Sequence, residues 1–200
     1  MKGFIYDGQI SASQLNTWIK SKKDYIKYYI EGEKRPDNIY TVFGSKVHKE
    51  ISEKKSENEV LDLLISQIPK LKYSEYSLKK ETEVDGIKVT LYGIIDGYDK
   101  DNDLLIDYKT GKNAKKWNEK SIKKDLQFTF YNWLHFLETG RYLKKIIIVH
   151  LQTEVENDVY LTGEFNIHEY SPSEEESKKD IEKLKEKFLE FAKWAEDYKL

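Results

Sequence analysis

An α/β fold is expected, with a central mixed sheet of about five strands and helices on both sides. Three observations predict it. Apolar residues recur at helical spacing near both ends of the chain and between strand-like runs. Asp85-Gly86 is a hairpin signal between two such runs. Lys145–Leu151 (KIIIVHL) is too apolar to face water on both sides and reads as a buried strand.

The 200 residues suit a single domain, 1–200. Its parts are N-terminal helices (11–70), a sheet and helix that carry the chemistry (74–168), and a C-terminal helix (173–198). Charged residues make up 35% of the chain, yet the net charge is only −2, so a nucleic-acid binder would show itself in local charge and not in bulk. No signal peptide and no membrane-spanning apolar run is evident, which gives a cytoplasmic location by default. The chain has no cysteine, so disulfides and thiolate-ligated metal sites are excluded.

Residues 1–10 read as a short lead. Ser11-Ala12-Ser13-Gln14 opens a helix, a serine with a glutamine three later. Leu15, Trp18, Ile19, Tyr25, Ile26 and Tyr29 continue it to about Ile30, and Gly32 can end it. Lys20, Lys22, Lys23 and Lys27 crowd its polar side, either as a solvated face or as a contact to a DNA backbone. A second helix runs from about Tyr40 to Lys55 on the stripe Phe43, Val47 and Ile51. Gly44 and His48 lie four apart on an adjoining face. Glycine weakens a helix but lets another segment come close. Val60, Leu61, Leu64, Ile65 and Ile68 mark a short third helix stopped by Pro69.

Ser74–Val84 enters the sheet, with Glu81 and Glu83 on one face as solvated strand charge or, for Glu81, at the edge of a site. A helix over Lys123–Leu137, closed by Gly140, turns Leu126, Phe130, Leu134 and Leu137 to the core. Gln127, Tyr131 and His135 form a second stripe, on its own a half-exposed edge. Val159–Ile167 is the expected antiparallel partner of Lys145–Leu151, with Glu156-Asn157-Asp158 as the turn. His150 and His168 read as structural. Ser173-Glu174-Glu175-Glu176 is a capping box, and Ile181, Leu184, Phe188, Phe191 and Ala195 pack the last helix on the body.

The chemistry concentrates in Lys88–Gly111, two strands around the turn Asp99-Lys100-Asp101-Asn102-Asp103. The first strand carries Asp96 among apolar residues. The second carries Asp107 and Lys109, which share a face because alternate residues of a strand do. Three charges inside two apolar strands are costly to bury alone. A hard divalent cation between the carboxylates offsets their repulsion, and oxygen ligands suit Mg²⁺ or Mn²⁺. A lysine beside it can hold a phosphate oxygen, orient a water or offset developing charge. The set suits phosphodiester hydrolysis; a surface hairpin with a cross-strand Asp–Lys pair is the alternative. The turn is no EF-hand loop, since Leu104 and Thr110 stand where glycine and glutamate are needed. From Lys109 to Lys124 there are seven lysines against one acid, Glu119, with Trp117 among them. This is a solvated loop or, with Lys112, Lys115, Lys116 and Trp117, a groove that tracks a DNA backbone beside an aromatic platform.

Four motifs in order carry a resemblance. They are Gly44-Ser45-Lys46-Val47-His48, Gly93-Ile94-Ile95-Asp96, Asp107-Tyr108-Lys109-Thr110-Gly111 and Gln127-Phe128-Thr129-Phe130-Tyr131. Together they resemble the PD-(D/E)XK nuclease superfamily, in particular its RecB-like branch, which includes CRISPR-associated exonucleases. The resemblance implies a restriction-endonuclease-like core. It implies Mg²⁺ or Mn²⁺ held by His48, Asp96, Asp107 and the Tyr108 carbonyl, with Lys109 as the catalytic cation. It places Gln127 and Tyr131 at the active-site wall. It also implies DNA as substrate, single-stranded or as an end-containing duplex, and a recombinase, helicase or other repair partner. Exonuclease action in recombination, repair or phage DNA metabolism is expected from the resemblance alone. A structure-specific endonuclease or a catalytically idle DNA-binding subunit stands as the alternative. Some relatives carry a cysteine in the first helix as an iron–sulfur ligand. This chain reads Ser21-Lys22-Lys23-Asp24-Tyr25 there, so it holds no thiolate-ligated cluster, and packing must serve instead.

Overall fold

The computed structural model describes residues 9–198; the first eight residues of the N-terminal lead and the last two of the chain lie outside the described residues. The elements are β1 (Gln9–Ser11), α1 (Ala12–Lys20), α2 (Lys22–Tyr25), α3 (Ile39–Glu53), α4 (Glu59–Gln67), β2 (Tyr73–Val84), β3 (Ile87–Asp99), β4 (Leu104–Gly111), α5 (Glu119–Lys124), α6 (Leu126–Thr139), β5 (Lys145–Val155), β6 (Val159–Tyr170) and α7 (Glu174–Asp197). Among the described residues the sheet is mixed, as expected, with six strands in place of about five. The addition is β1, three residues at the end of the expected lead. It pairs parallel with β3, Gln9 opposite Thr90 and Ser11 opposite Tyr92.

β3 organises the sheet. One edge carries β2 in an antiparallel hairpin from Val84–Ile87 to Tyr73–Tyr98. Asp85 and Gly86 close it with φ of 48° and 82°, the two left-handed positions of a type I′ turn. The other edge is shared. β1 occupies Thr90–Tyr92, and β4 pairs antiparallel over only Gly97–Asp99. Between these stretches, residues 93–96 have no strand partner on that edge, because β4 turns away to run parallel with β5 along its whole length. A parallel neighbour requires a crossover, and α5 and α6 supply it. β6 returns antiparallel to β5 across the expected turn.

Two apolar layers cover the sheet. On one face β3, β4 and β5 direct Leu91, Ile95, Leu105, Ile146 and Ile148 against α1, α6 and α7. On the other, Ile106, Tyr108, Ile147 and Val149 meet Val47 and Ile51 of α3 and Leu61, Leu64 and Ile65 of α4. The alternation along β4 therefore sends Asp107 and Lys109 to the α6 side and Tyr108 to the α3 side.

Two expected helices are each broken in two by a residue that caps its own successor. Ser21 is extended (φ −160°, ψ 104°) and its hydroxyl accepts from Asp24 N–H, which ends α1 and starts α2. α2 passes into a π-helical turn, Ile26–Ile30. The break lets Trp18 and Tyr25 each meet Phe191 of α7 edge-on, with ring centroids 5.4 Å apart in both pairs. Aromatic packing thus joins α1 and α2 to α7. The helix expected over Lys123–Leu137 is likewise divided at Asp125, whose carboxylate accepts from Gln127 N–H at 2.9 Å. The capping boxes at Ser11 and Ser173 form as read from the sequence. Among the described residues no helix is long and apolar enough to cross a membrane.

Candidate active site

The gap between β3 and β4 collects the charged residues. Asp96 leaves β3 at the stretch that lacks a strand partner, and its carboxylate accepts the Tyr108 N–H of β4 at 2.9 Å. The same oxygen lies 3.3 Å from His48 Nδ1 on α3. Asp107 is 2% exposed. Lys109 Nζ sits 2.7 Å from Asp107 Oδ2 in a largely buried ion pair. Gln127, in the first turn of α6, links the set. Its amide N donates to Asp107 Oδ1 at 3.2 Å and to the Tyr131 hydroxyl at 3.0 Å, and its carbonyl accepts from Lys109 at 3.3 Å. Tyr131 in turn donates to the Ile94 carbonyl on β3 at 2.6 Å.

Glycines let the walls close. A Cβ on Gly93 would stand 2.8 Å from Tyr131 Cε1, and one on Gly44 would stand 3.2 Å from Thr110 Oγ1. The first lets α6 lie on β3. The second lets α3 approach the end of β4, as a helical glycine allows.

Burial, with repulsion from Asp96, pushes the Asp107 carboxyl up to about 6, against the pull of Lys109 and His48. Burial opposes protonation of His48, yet the hydrogen bond and charge of Asp96, with Asp107 behind, outweigh it and raise the imidazole. Lys109 is raised as well, since the Asp107 carboxylate outweighs the cost of burial. Two acids that repel each other, one of them buried, are a setting in which a hard cation could bind. His48, 3.3 Å from Asp96, could add a nitrogen donor to such a set. Among the described residues, however, no three histidine or acidic side chains are already gathered into a metal cage.

Other expected residues lie elsewhere or act differently. Lys112, Lys115 and Lys116 are exposed on the segment that follows β4. Trp117 is 7% exposed, so the expectation of an open stacking ring fails for it. Its ring packs edge-on against Phe128, and Lys116 and Lys109 lie 5.1 and 6.0 Å from its centre. An apolar ring followed by Ile122 and Phe128 is drawn into the core, and there it walls Lys109. Glu81 is exposed, opposite Thr90 and away from the gap.

His135, on the same stripe as Gln127 and Tyr131, is fully buried in a separate network. It shares hydrogen bonds with the Tyr98 hydroxyl at 2.6 Å and with Asp103 at 3.2 Å. Arg141 and Lys144 each reach Asp103 at 2.8 Å. Sequence reading missed this group. The one available signal was the i, i+4, i+8 spacing of Gln127, Tyr131 and His135 on one face.

A sequence profile of the PD-(D/E)XK nuclease superfamily matches residues 52–199. No curated protein matches the chain. Among solved structures, a candidate exonuclease from Eubacterium rectale is similar at a TM-score of 0.60 and 10% identity, over 96% of this chain and 83% of that one. The protein SSO0001 is similar at a TM-score of 0.54 and 15% identity, over 91% and 76%. At such identities the two structures speak for the fold, and the profile, which takes in β2 through α7, speaks for descent. The chain belongs to the PD-(D/E)XK nuclease superfamily.

Proposed function

We propose that the chain is a DNA nuclease dependent on a divalent cation, working from DNA ends as an exonuclease in recombination, repair or phage DNA metabolism, in the cytoplasm and beside a repair partner. Membership of the superfamily implies phosphodiester hydrolysis of nucleic acid, and its nucleases generally use Mg²⁺ or Mn²⁺. The observation that supports the reading best is the bonded set Asp96, Asp107, Lys109 and Gln127 at the point where β3 and β4 part.

Asp96 and Asp107 would hold the cation, with His48 and the Tyr108 carbonyl assisting. When bound, it would polarise the phosphate and acidify a water. Lys109 would orient that water or offset charge on the phosphate. Gln127 fixes the headings of Asp107 and Lys109. Tyr131 and Trp117 exclude solvent on the α6 side, so the charges act in a less screened setting. Lys112, Lys115 and Lys116 would follow the DNA backbone as it leaves the gap.

End-labelled linear DNA and closed circular single-stranded DNA, each with Mn²⁺, Mg²⁺ or EDTA, test this. The expected result is metal-dependent loss of linear DNA with circles intact, and none with Asp107→Asn. Cut circles would make it an endonuclease. Wild-type rates in Asp107→Asn would overturn the site. Binding without cleavage in either metal would indicate an idle DNA-binding subunit.

A further inference from the structure

We propose that the first two turns of α3 form a shelf for unpaired bases, so that the strand to be cut enters the gap single-stranded or frayed. The inference rests on the nuclease reading above and adds where the bases lie. α3 brings Ile39, Tyr40 and Val42 to solvent at 51%, 56% and 56% exposure. Of its 15 residues only Val47 and Ile51 are buried, so its N-terminal half stands off the core. Neighbouring apolar side chains left bare on so charged a protein mark a contact surface.

The surface is continuous with the active site. Beside Ile39 and Val42 runs a groove of about 500 Å³, walled by Phe43 and by Val159 and Leu161 of β6. Asn38, Phe43 and Val159 also line the cleft that contains His48, Lys109 and Thr110, and Tyr40 lines that cleft as well. Tyr40 and Phe43 are three apart, so their rings share a face of the helix. A strand that reaches Lys109 through this cleft passes these two rings.

The charges of the groove select a base over a phosphate. Asp37, Glu50 and Asp158 stand on it against one lysine, Lys46, which lies 3.7 Å from Glu50. That rim repels phosphate, whereas carboxylates accept hydrogen bonds from the amino edges of bases. The opposite balance holds beyond β4, with exposed Lys112, Lys115 and Lys116. A strand lying with its backbone toward the lysines and its bases toward α3 satisfies both sides. Paired bases keep their faces covered by stacking within the duplex and cannot lay them on such a shelf, so the ligand is an unpaired stretch. With Trp117 buried, this face offers the exposed ring of Tyr40 for stacking, with the half-buried Phe43 beside it.

The test uses Asp107→Asn protein and single-stranded oligonucleotides with 2-aminopurine at successive positions, whose emission falls on stacking. The expected result is quenching confined to a few adjacent positions. Adding Tyr40→Ala with Val42→Ser, both at exposed positions, should remove the quenching and weaken single-strand binding about tenfold or more, in line with a lost stacked base. In the cleaving protein the same pair should slow digestion of overhangs. Urea unfolding of the variant, matching its parent, shows that the fold is intact. If single strands bind and quench equally with and without the pair, the shelf is overturned and the nuclease reading stands. A parent dimer that the pair converts to a monomer in sedimentation would make the surface a contact between copies, and would also overturn it. A wild-type protein that neither binds nor cuts DNA would sink the nuclease reading, and the shelf with it.

Discussion

Gln127 makes three hydrogen bonds at the gap, to Asp107, Lys109 and Tyr131. It is placed to set how the two charged groups face one another, and its loss would leave Asp107 with Lys109 alone. Gln127→Ala should lower cleavage or cation affinity about 10–100-fold, as loss of a supporting partner does; titration of cleavage against Mn²⁺ checks it. Gly93 can be no larger. Gly93→Ala forces Tyr131 off the strand and should cost about 1–3 kcal/mol, an overpacking penalty readable by urea unfolding. The residues of the site were legible because each motif lies within one strand or helix turn, where spacing fixes direction. The second polar network, around His135, was not. Asp103, Tyr98 and His135 come from a turn, a strand and a helix, and only the tertiary fold brings them together. Trp117 carried no mark in the sequence to tell a stacking ring from a core one.

Among the elements, α6 is held at both ends. Asp125 and Gln127 fix its start, and the His135 network ties its later turns to β3 and the β3–β4 turn. Burial holds the His135 imidazole below its ordinary value despite Asp103 nearby. Burial pushes Asp103 up, but Lys144 and Arg141 outweigh it and keep the carboxyl low. The folded chain thus resists protonating His135. As pH falls below about 6.5 the unfolded chain takes up that proton and the folded one does not, so stability is lost with falling pH. Wild type should lose more stability than His135→Gln between pH 7 and pH 5, measured as urea midpoints. Element types followed from periodicity and caps. The breaks at Ser21 and Asp125 did not, since apolar spacing runs on through both. β1 was hidden because three residues are too few to show a period.

At the scale of the molecule, two layers clamp a sheet whose middle is parted, and the acids stand at the parting. A cation bound there stabilises the folded chain in proportion to its occupancy. Mn²⁺ at about 100 times its dissociation constant should add about 2.7 kcal/mol, or several degrees in melting temperature for a chain of this length. Asp107→Asn should abolish the shift. The α/β class, with helices on both sides of the sheet, was legible from alternating periodicities, whereas the incomplete pairing of β3 with β4 was not, because either strand alone reads as continuous.

That incomplete pairing makes Asp96 a doorstop as well as an acid. Its carboxylate occupies the Tyr108 amide, which would otherwise be free to seek a β3 carbonyl and zip the two strands one rung further. Asp96→Ala would remove the wedge along with the charge and let the cleft shut. Asp96→Asn keeps an oxygen for the amide and removes only the charge. Hydrogen exchange at Tyr108 would separate the two, slowed where the strands have zipped and unchanged where the wedge remains.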